Sequence, residues 1–266
     1  MSGPALEAPV TRLNPYLVDG PSVVVEKSGR PLSDVPEIHF GNMPLDGGHL
    51  LMTPGERDEL LRLEPQAAPY IRPLLDAQDF LNGGTRYCLW LEGIDPSVLR
   101  RMPRVLERVE KVRVWRLASI APSTQRFAVT PSLFRDRRLP ERYLIIPSVT
   151  SERREYAPVG YLDSQTIVNN LVFMVPDATP FLFGVLSSKM HMAWLRYVGG
   201  RLESRYRYSK DIVYNTFPFP TDLTPKLEEK VEAAARAVLE ARAGFPQSSL
   251  ADLYDPLTTQ GKRTKR

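Results

Sequence analysis

The chain has 266 residues, 42% of them hydrophobic and 25% charged, with a formal net charge of +4. This is enough apolar material for a substantial core, as one large domain or one domain plus an appendage, and it excludes a disordered chain; the mild positive charge permits a polyanionic partner without demanding one. One cysteine rules out a disulfide within the chain, the start MSGPALEAPV lacks a leader pattern, and no apolar run reaches the roughly 20 residues of a membrane helix, so a cytoplasmic, non-membrane protein is expected.

In chain order, the β-branched Val23–Glu26 run reads as a short strand, followed by a Pro- and Gly-rich loop, PLSDVPEIHFGNMPLDGGHL, that is long for a compact domain. Thr53-Pro54-Gly55-Glu56 combines a cap, a proline at the first helical position and a carboxylate three residues on, which predicts a helix to about Arg62. Tyr87–Leu91, containing Cys88, reads as a buried strand. Asp95-Pro96 opens a helical pattern through Val98, Leu99, Met102, Val105, Leu106 and Val109 that Pro103 should kink or split. RYLIIPSV (142–149) and LVFMV (171–175) read as neighbouring core strands of one sheet. From Pro180, FLFGVLSSKMHMAWLRYV predicts one buried helix with a glycine C-cap at Gly199-Gly200. Beyond Pro220, Leu227, Val231, Ala234 and Val238 form the stripe of an amphipathic helix outside the sheet domain, stopped by Gly244, and the tail QGKRTKR reads as disordered and basic. The fold class expected is mixed α+β, with a twisted, mostly antiparallel sheet flanked by helices and a C-terminal helix.

The basic residues are clustered. Residues 100–116 hold seven basic and two acidic side chains, residues 135–154 six and three, and residues 196–210 five and one. Arg dominates these windows, and its planar fork suits phosphate and base edges better than a point charge does. Within the last window, RLESRYRYS alternates Glu203, Arg205 and Arg207 with smaller or aromatic residues, the period of a strand, so the three charges should share one face. A carboxylate flanked by guanidiniums suits reading bases in a major groove, where Arg donates to guanine N7 and O6 and Glu accepts from cytosine N4. A solvated edge strand whose charges block aggregation explains the same pattern.

Catalytic signals are few. His39, His49 and His191 are far apart in sequence and do not pair with Cys88 at metal-ligand spacing, so no metal is expected. No nucleophile elbow, phosphate-binding loop or dinucleotide fingerprint occurs, and Asn82-Gly83-Gly84 reads as a turn. Asn14-Pro15-Tyr16 is similar to the Asn-Pro-Pro-Tyr turn of adenine methyltransferases but lacks one proline, and only 13 residues precede it, too few for a cofactor-binding sheet.

The runs NPYLVDGP, DVPEIHFGNMPLDGGHL, EPQAAPYIRPLL, FLNGGTRYCLWL, IIPSVTSERREYAPVGYL, FGVLSSKMHMAWLRYVGGRLESRYRYS and YNTFPFP cover nearly the whole of residues 13–220. Together and in this order they resemble the target recognition domain of the MmeI-like (type IIL) enzymes. These are single polypeptides that join a restriction nuclease, an N6-adenine DNA methyltransferase and a recognition domain. ADLYDPL (251–257) resembles the start of that family's C-terminal helical segment.

The resemblance implies a connection from an absent methyltransferase domain over residues 1–14, a recognition domain over 15–220, and the start of a C-terminal helical segment over 221–266. It implies duplex DNA as partner, with the methyltransferase and nuclease domains of a parent protein. The cofactors S-adenosylmethionine and Mg²⁺ belong to that full-length enzyme, and none to this chain. Glu203 and Arg205 fall where the family reads bases as a cooperating pair, with Arg207 beside them; Ser148, Asn170 and Leu171 fall at other variable reading positions. Asn170 could bond adenine bidentately or form an Asx-type turn. Arg153 and Arg154 suit phosphate, and Lys189, Arg196 and Lys210 either do the same or are solvated. The alternatives are a basic protein-interaction module or an inactive remnant without autonomous DNA binding.

Overall fold

The computed structural model describes residues 12–17 and 19–257. Most of the connection expected at 1–14, and the basic tail 260–266, lie outside them.

The N-terminal half contributes β1 (His39–Phe40), β2 (Leu51–Met52), α1 (Pro54–Leu63), β3 (Ile71–Leu75), α2 (Ala77–Asn82), β4 (Arg86–Leu89), α3 (Pro96–Arg100), α4 (Pro103–Leu117) and α5 (Pro122–Gln125). The strands β5 (Arg142–Pro147), β6 (Val149–Thr150), β7 (Gly160–Asp163), β8 (Ile167–Val168) and β9 (Val172–Pro176) follow. Then come α6 (Pro180–Leu186), α7 (Lys189–Val198), β10 (Gly200–Leu202), β11 (Arg205–Arg207), a π-helical turn (Lys210–Tyr214), α8 (Pro225–Ala243) and α9 (Leu250–Tyr254). The fold is mixed α+β, its strands divided among three sheets with the orders β1-β9-β5-β7, β2-β4-β3-β8 and β10-β11-β6.

The first of these is the centre of the molecule. β5 and β9 pair antiparallel along their length, as neighbouring core strands should. Both are near-continuous apolar runs because both of their faces are buried. Leu144, Ile146, Phe173 and Val175 face the main core, which α6 and α7 cover, while Tyr143, Ile145, Val172 and Met174 face the second sheet through a smaller core shared with Val168. A third core packs β2, β3 and β4 under α4, with Val105, Val109 and Val112 on the helix's buried stripe and Met102 just before it. Cys88 on β4 lies in it, and burial pushes its thiol pKa up to about 12.

Local chemistry sets several boundaries. Thr53 and Glu56 form a reciprocal capping box with Pro54 behind it, so α1 starts where the sequence says it should. Pro103 splits the predicted helix into α3 and α4.

Four expectations are corrected. Val23–Glu26 is not a strand: the segment finds no ladder partner, Val25 donates its N–H to the Tyr16 hydroxyl and packs on the main core. The helix from Pro180 is two helices, because Ser188 turns the chain and caps α7 by accepting from the His191 N–H. Gly199 does cap α7, but in an extended rather than a left-handed conformation. A Cβ there would run into the Leu195 carbonyl oxygen, so the glycine serves close approach. Finally, the inward stripe of α8 is the buried Ala235 flanked by the partly buried Val231 and Leu239, while Leu227, Ala234 and Val238 lie on exposed positions. α8 docks on α6 at Gly184, where a Cβ would come within 2.8 Å of Val231 Cγ1.

The long Pro- and Gly-rich loop is held from inside by Arg116. This residue of α4 has 0% exposure. Its guanidinium donates to the carbonyls of Leu45 (2.7 Å), Pro44 (3.1 Å), Phe127 (2.8 Å), Thr130 (2.9 Å) and Leu133 (2.8 Å). Burial lowers its pKa and the Asp46 carboxylate opposes that shift. Replacing Arg116 with Met would leave these carbonyls buried and unpaired, and the expected loss of stability is about 3–5 kcal/mol in urea unfolding. A loss below about 1 kcal/mol would mean that water substitutes for the guanidinium.

Candidate nucleic-acid interface

β10 and β11 form a tight antiparallel hairpin in which Leu202 faces Arg205, so its turn consists of Glu203 and Ser204 alone. β11 continues the sheet to β6, with Tyr206 opposite Thr150 and Arg207 opposite Val149. The strand predicted across Glu203–Arg207 is thus interrupted: Glu203 is in the turn, at φ 57°. Alternation holds from Arg205 onward. Tyr206 and Tyr208 are buried, while Arg207 is exposed and Arg205 partly so. Glu203 nevertheless meets Arg205, whose Nη2 lies 2.8 Å from its Oε2. Arg201 stacks on the Tyr206 ring from the facing strand, 3.8 Å from its centroid.

Beneath the hairpin the Tyr208 hydroxyl is hydrogen-bonded to His191 Nε2 of α7 at 2.9 Å, with both residues buried. Burial lowers the His191 pKa to about 3 and raises that of Tyr208 well above its ordinary value. Phe217 packs edge-on against His191 at 4.7 Å. An apolar floor with one internal hydrogen bond therefore carries a polar outer face.

Ser148 joins the hairpin to the central sheet. Its hydroxyl donates to the Leu171 carbonyl (2.6 Å), and its own carbonyl accepts from the Tyr208 N–H (2.8 Å). Asn170 adjoins Leu171 in the turn before β9. The Asx-type turn considered for Asn170 belongs to Asn169, whose Oδ1 accepts from the Leu171 N–H at 2.9 Å. Ser148, Asn170, Leu171 and the hairpin thus gather at one end of the central sheet.

The predicted phosphate contacts divide into two groups. Arg153 pairs with Asp255 at 3.4 Å. Arg154 is half-buried, its pKa lowered chiefly by burial, and it bonds Thr150 Oγ1 at 3.1 Å. Arg196 donates to the Arg154 carbonyl (3.0 Å), and Lys189 approaches Glu155 at 4.0 Å. These four lie together on the 151–156 turn and α7. Lys210 opens the π-helical turn, a geometry frequent at functional sites. It pairs with Asp211 at 2.7 Å and lines a cleft together with Asn170.

Sequence reasoning missed this cleft. It holds ≈ 450 Å³ beside β1, and His39, Phe40, Arg135, Asp136 and Arg138 contribute to its walls. Burial, followed by the Arg138 charge, lowers the His39 pKa. The signal for it is the excess of arginine over residues 135–154, where the sequence reading points only to the distal Arg153 and Arg154.

The fold and this polar platform are those of a target recognition domain. The chain belongs to the MmeI family: the model of the MmeI target recognition domain matches residues 19–221, and that of the MmeI C-terminal domain matches residues 223–263. DNA methyltransferase A of Bacillus subtilis (strain 168) is 39% identical over 250 residues, which make up 94% of this chain and 28% of that protein. A solved structure of the type IIL restriction-modification enzyme MmeI in complex with DNA is similar at a TM-score of 0.92 and 44% identity, over 96% of this chain and 34% of that one. The chain therefore spans about a third or less of these relatives. Among the described residues no helix is long and apolar enough to cross a membrane.

Two outcomes follow from the hairpin. Positive φ strains a residue with a Cβ, so Glu203→Gly should raise stability by about 1 kcal/mol in urea unfolding although it removes an ion pair; an unchanged or lower midpoint would show that the turn is unstrained. His191 has a folded pKa lowered to about 3 against about 6.5 unfolded. Between these values the unfolded chain binds the additional proton, so stability falls as pH falls, by up to about 1.4 kcal/mol per unit from this group. In His191→Gln, which can still bond Tyr208, that part of the slope between pH 6.5 and pH 3 should vanish from unfolding curves taken across the range.

Proposed function

We propose that this chain reads a short sequence in duplex DNA for a larger adenine-N6 DNA methyltransferase or restriction-modification protein, and positions that site for a catalytic domain outside the chain. The observation that carries this reading is the Glu203–Arg205 ion pair, raised on a two-residue turn with Arg207 beside it. A coupled carboxylate and guanidinium match the donor and acceptor pattern of one C·G pair in the major groove. Arg207, Asn170 and Ser148 add further base-reading positions, although the Ser148 hydroxyl donates internally and offers DNA only its acceptor capacity. Arg153, Arg154, Lys189, Arg196 and Lys210 hold the backbone.

Family membership and the close likeness to MmeI, solved in complex with DNA, support the partner. In the same proposal residues 15–220 form the recognition domain, residues 1–14 lead from the methyltransferase domain, and residues 221–266 begin a helical segment. Methylation by the parent protein requires S-adenosylmethionine, and restriction requires Mg²⁺. The described residues do not fit the methyl donor: their one parallel strand pair, β3 with β8, is not joined by a glycine turn and crossover helix. No step of methyl transfer is assigned to this chain.

Selection of bound sequences from a randomised duplex library tests the reading, with enrichment of a short motif as the expected result. Arg205→Ala should cost about 1–3 kcal/mol on that motif and relax a single base pair, whereas Arg153→Ala should weaken all sequences alike. Equal losses on every sequence from both changes would remove the base-reading assignment.

A further inference from the structure

We propose that the cleft beside β1 seats one backbone phosphodiester of the duplex that the hairpin reads, with Arg138 as its main ligand and Arg135 and Lys210 beside it. This rests on the DNA-reading proposal above and adds a second anchor to it.

Arg138 differs from every cation named so far for the backbone. Arg153, Lys189 and Lys210 each have a carboxylate nearby, and Arg154 and Arg196 each donate within the protein. The Arg138 side chain is exposed and, among the described residues, has no ion-pair or hydrogen-bond partner. Its backbone, by contrast, is fixed. The buried Asn42 amide accepts from the Arg138 N–H at 2.5 Å and donates to the Arg138 carbonyl at 3.0 Å, and the Arg135 N–H bonds the Met43 carbonyl at 2.9 Å. A locked main chain carrying a free guanidinium is arranged for a ligand, since little ordering remains to be done on binding.

The charge of the walls selects the ligand. Of the cations lining the cleft, Arg135 is engaged by Asp136 and Lys210 by Asp211, each at 2.7 Å, so Arg138 alone lacks a carboxylate partner among the described residues. One unpaired guanidinium suits a singly charged phosphodiester, and the Arg fork fits its two non-bridging oxygens. Phe40, 50% exposed and packed against Phe173 at 4.8 Å, offers an apolar surface to the adjoining deoxyribose.

Position completes the argument. Asn170 shares the cleft wall, and Lys210 lies three residues beyond Arg207, the last residue of β11. A strand whose bases meet the hairpin would pass its backbone into the cleft, and the contact would fix the register of base reading.

The test compares the full chain, Arg138→Gln and Arg205→Gln for binding to a randomised duplex pool at several salt concentrations, with bound sequences read out. Arg138→Gln should weaken binding several-fold on all sequences, make the slope of log K against log salt shallower by about 0.9, and leave both the enriched motif and the urea midpoint unchanged. An affinity and slope equal to those of the parent chain would overturn the site, as would a change at one base pair with the slope preserved. If the parent enriches a motif that Arg205→Gln loses while Arg138→Gln is silent, only the cleft falls; if the parent binds no duplex at all, both proposals fall.

Discussion

A buried guanidinium with no carboxylate in hydrogen-bond contact among the described residues organises the half of the molecule that the hairpin does not. Arg116 gathers carbonyls from two loops, 44–45 and 127–133, onto one side chain of α4. Backbone carbonyls removed from water need donors, and an irregular loop has no ladder to supply them. One planar group with five N–H donors supplies them together. The ordering propagates, because the loop fixed at residues 44–45 continues back through Asn42 to β1, and the loop fixed at 133 continues on to Arg135 and Arg138. The edge of the central sheet and the walls of the cleft thus derive their geometry from a residue that reaches neither.

The hairpin is built on a different principle. Its inner face is aromatic and closed by the His191–Tyr208 bond, and its outer face is charged. Packing side chains and charged side chains therefore alternate along one strand. Glu203 occupies a backbone conformation that favours glycine, and a Glu held there implies that the side chain is worth more than the relaxed turn would be.

How much of this was legible depended on whether a local rule decided the outcome. The capping box at Thr53, the break at Pro103 and the apolar runs of β5 and β9 follow from chemistry within a few residues, and all are present. Val23–Glu26 is not a strand because β-branching is a preference for a pleated surface, and among the described residues the segment pairs with no strand. In sequence the hairpin reads as one strand because Glu203-Ser204 carries no glycine or asparagine, the usual sign of a two-residue turn. The Ser187-Ser188 break was hidden inside an apolar helical pattern. Within the candidate site, the Glu203–Arg205 pairing was legible from spacing and resemblance. The cleft was not, since His39, Arg138 and Lys210 meet only through tertiary folding.

The burial of Cys88 has a practical side. It is the chain's one cysteine, it is fully enclosed on β4, and its raised pKa leaves essentially no thiolate at neutral pH. In the folded chain Cys88 is therefore shielded from thiol-directed dyes. A cysteine introduced at the exposed Ser204 would be the sole reactive handle, and a fluorophore attached there would sit at the tip of the hairpin.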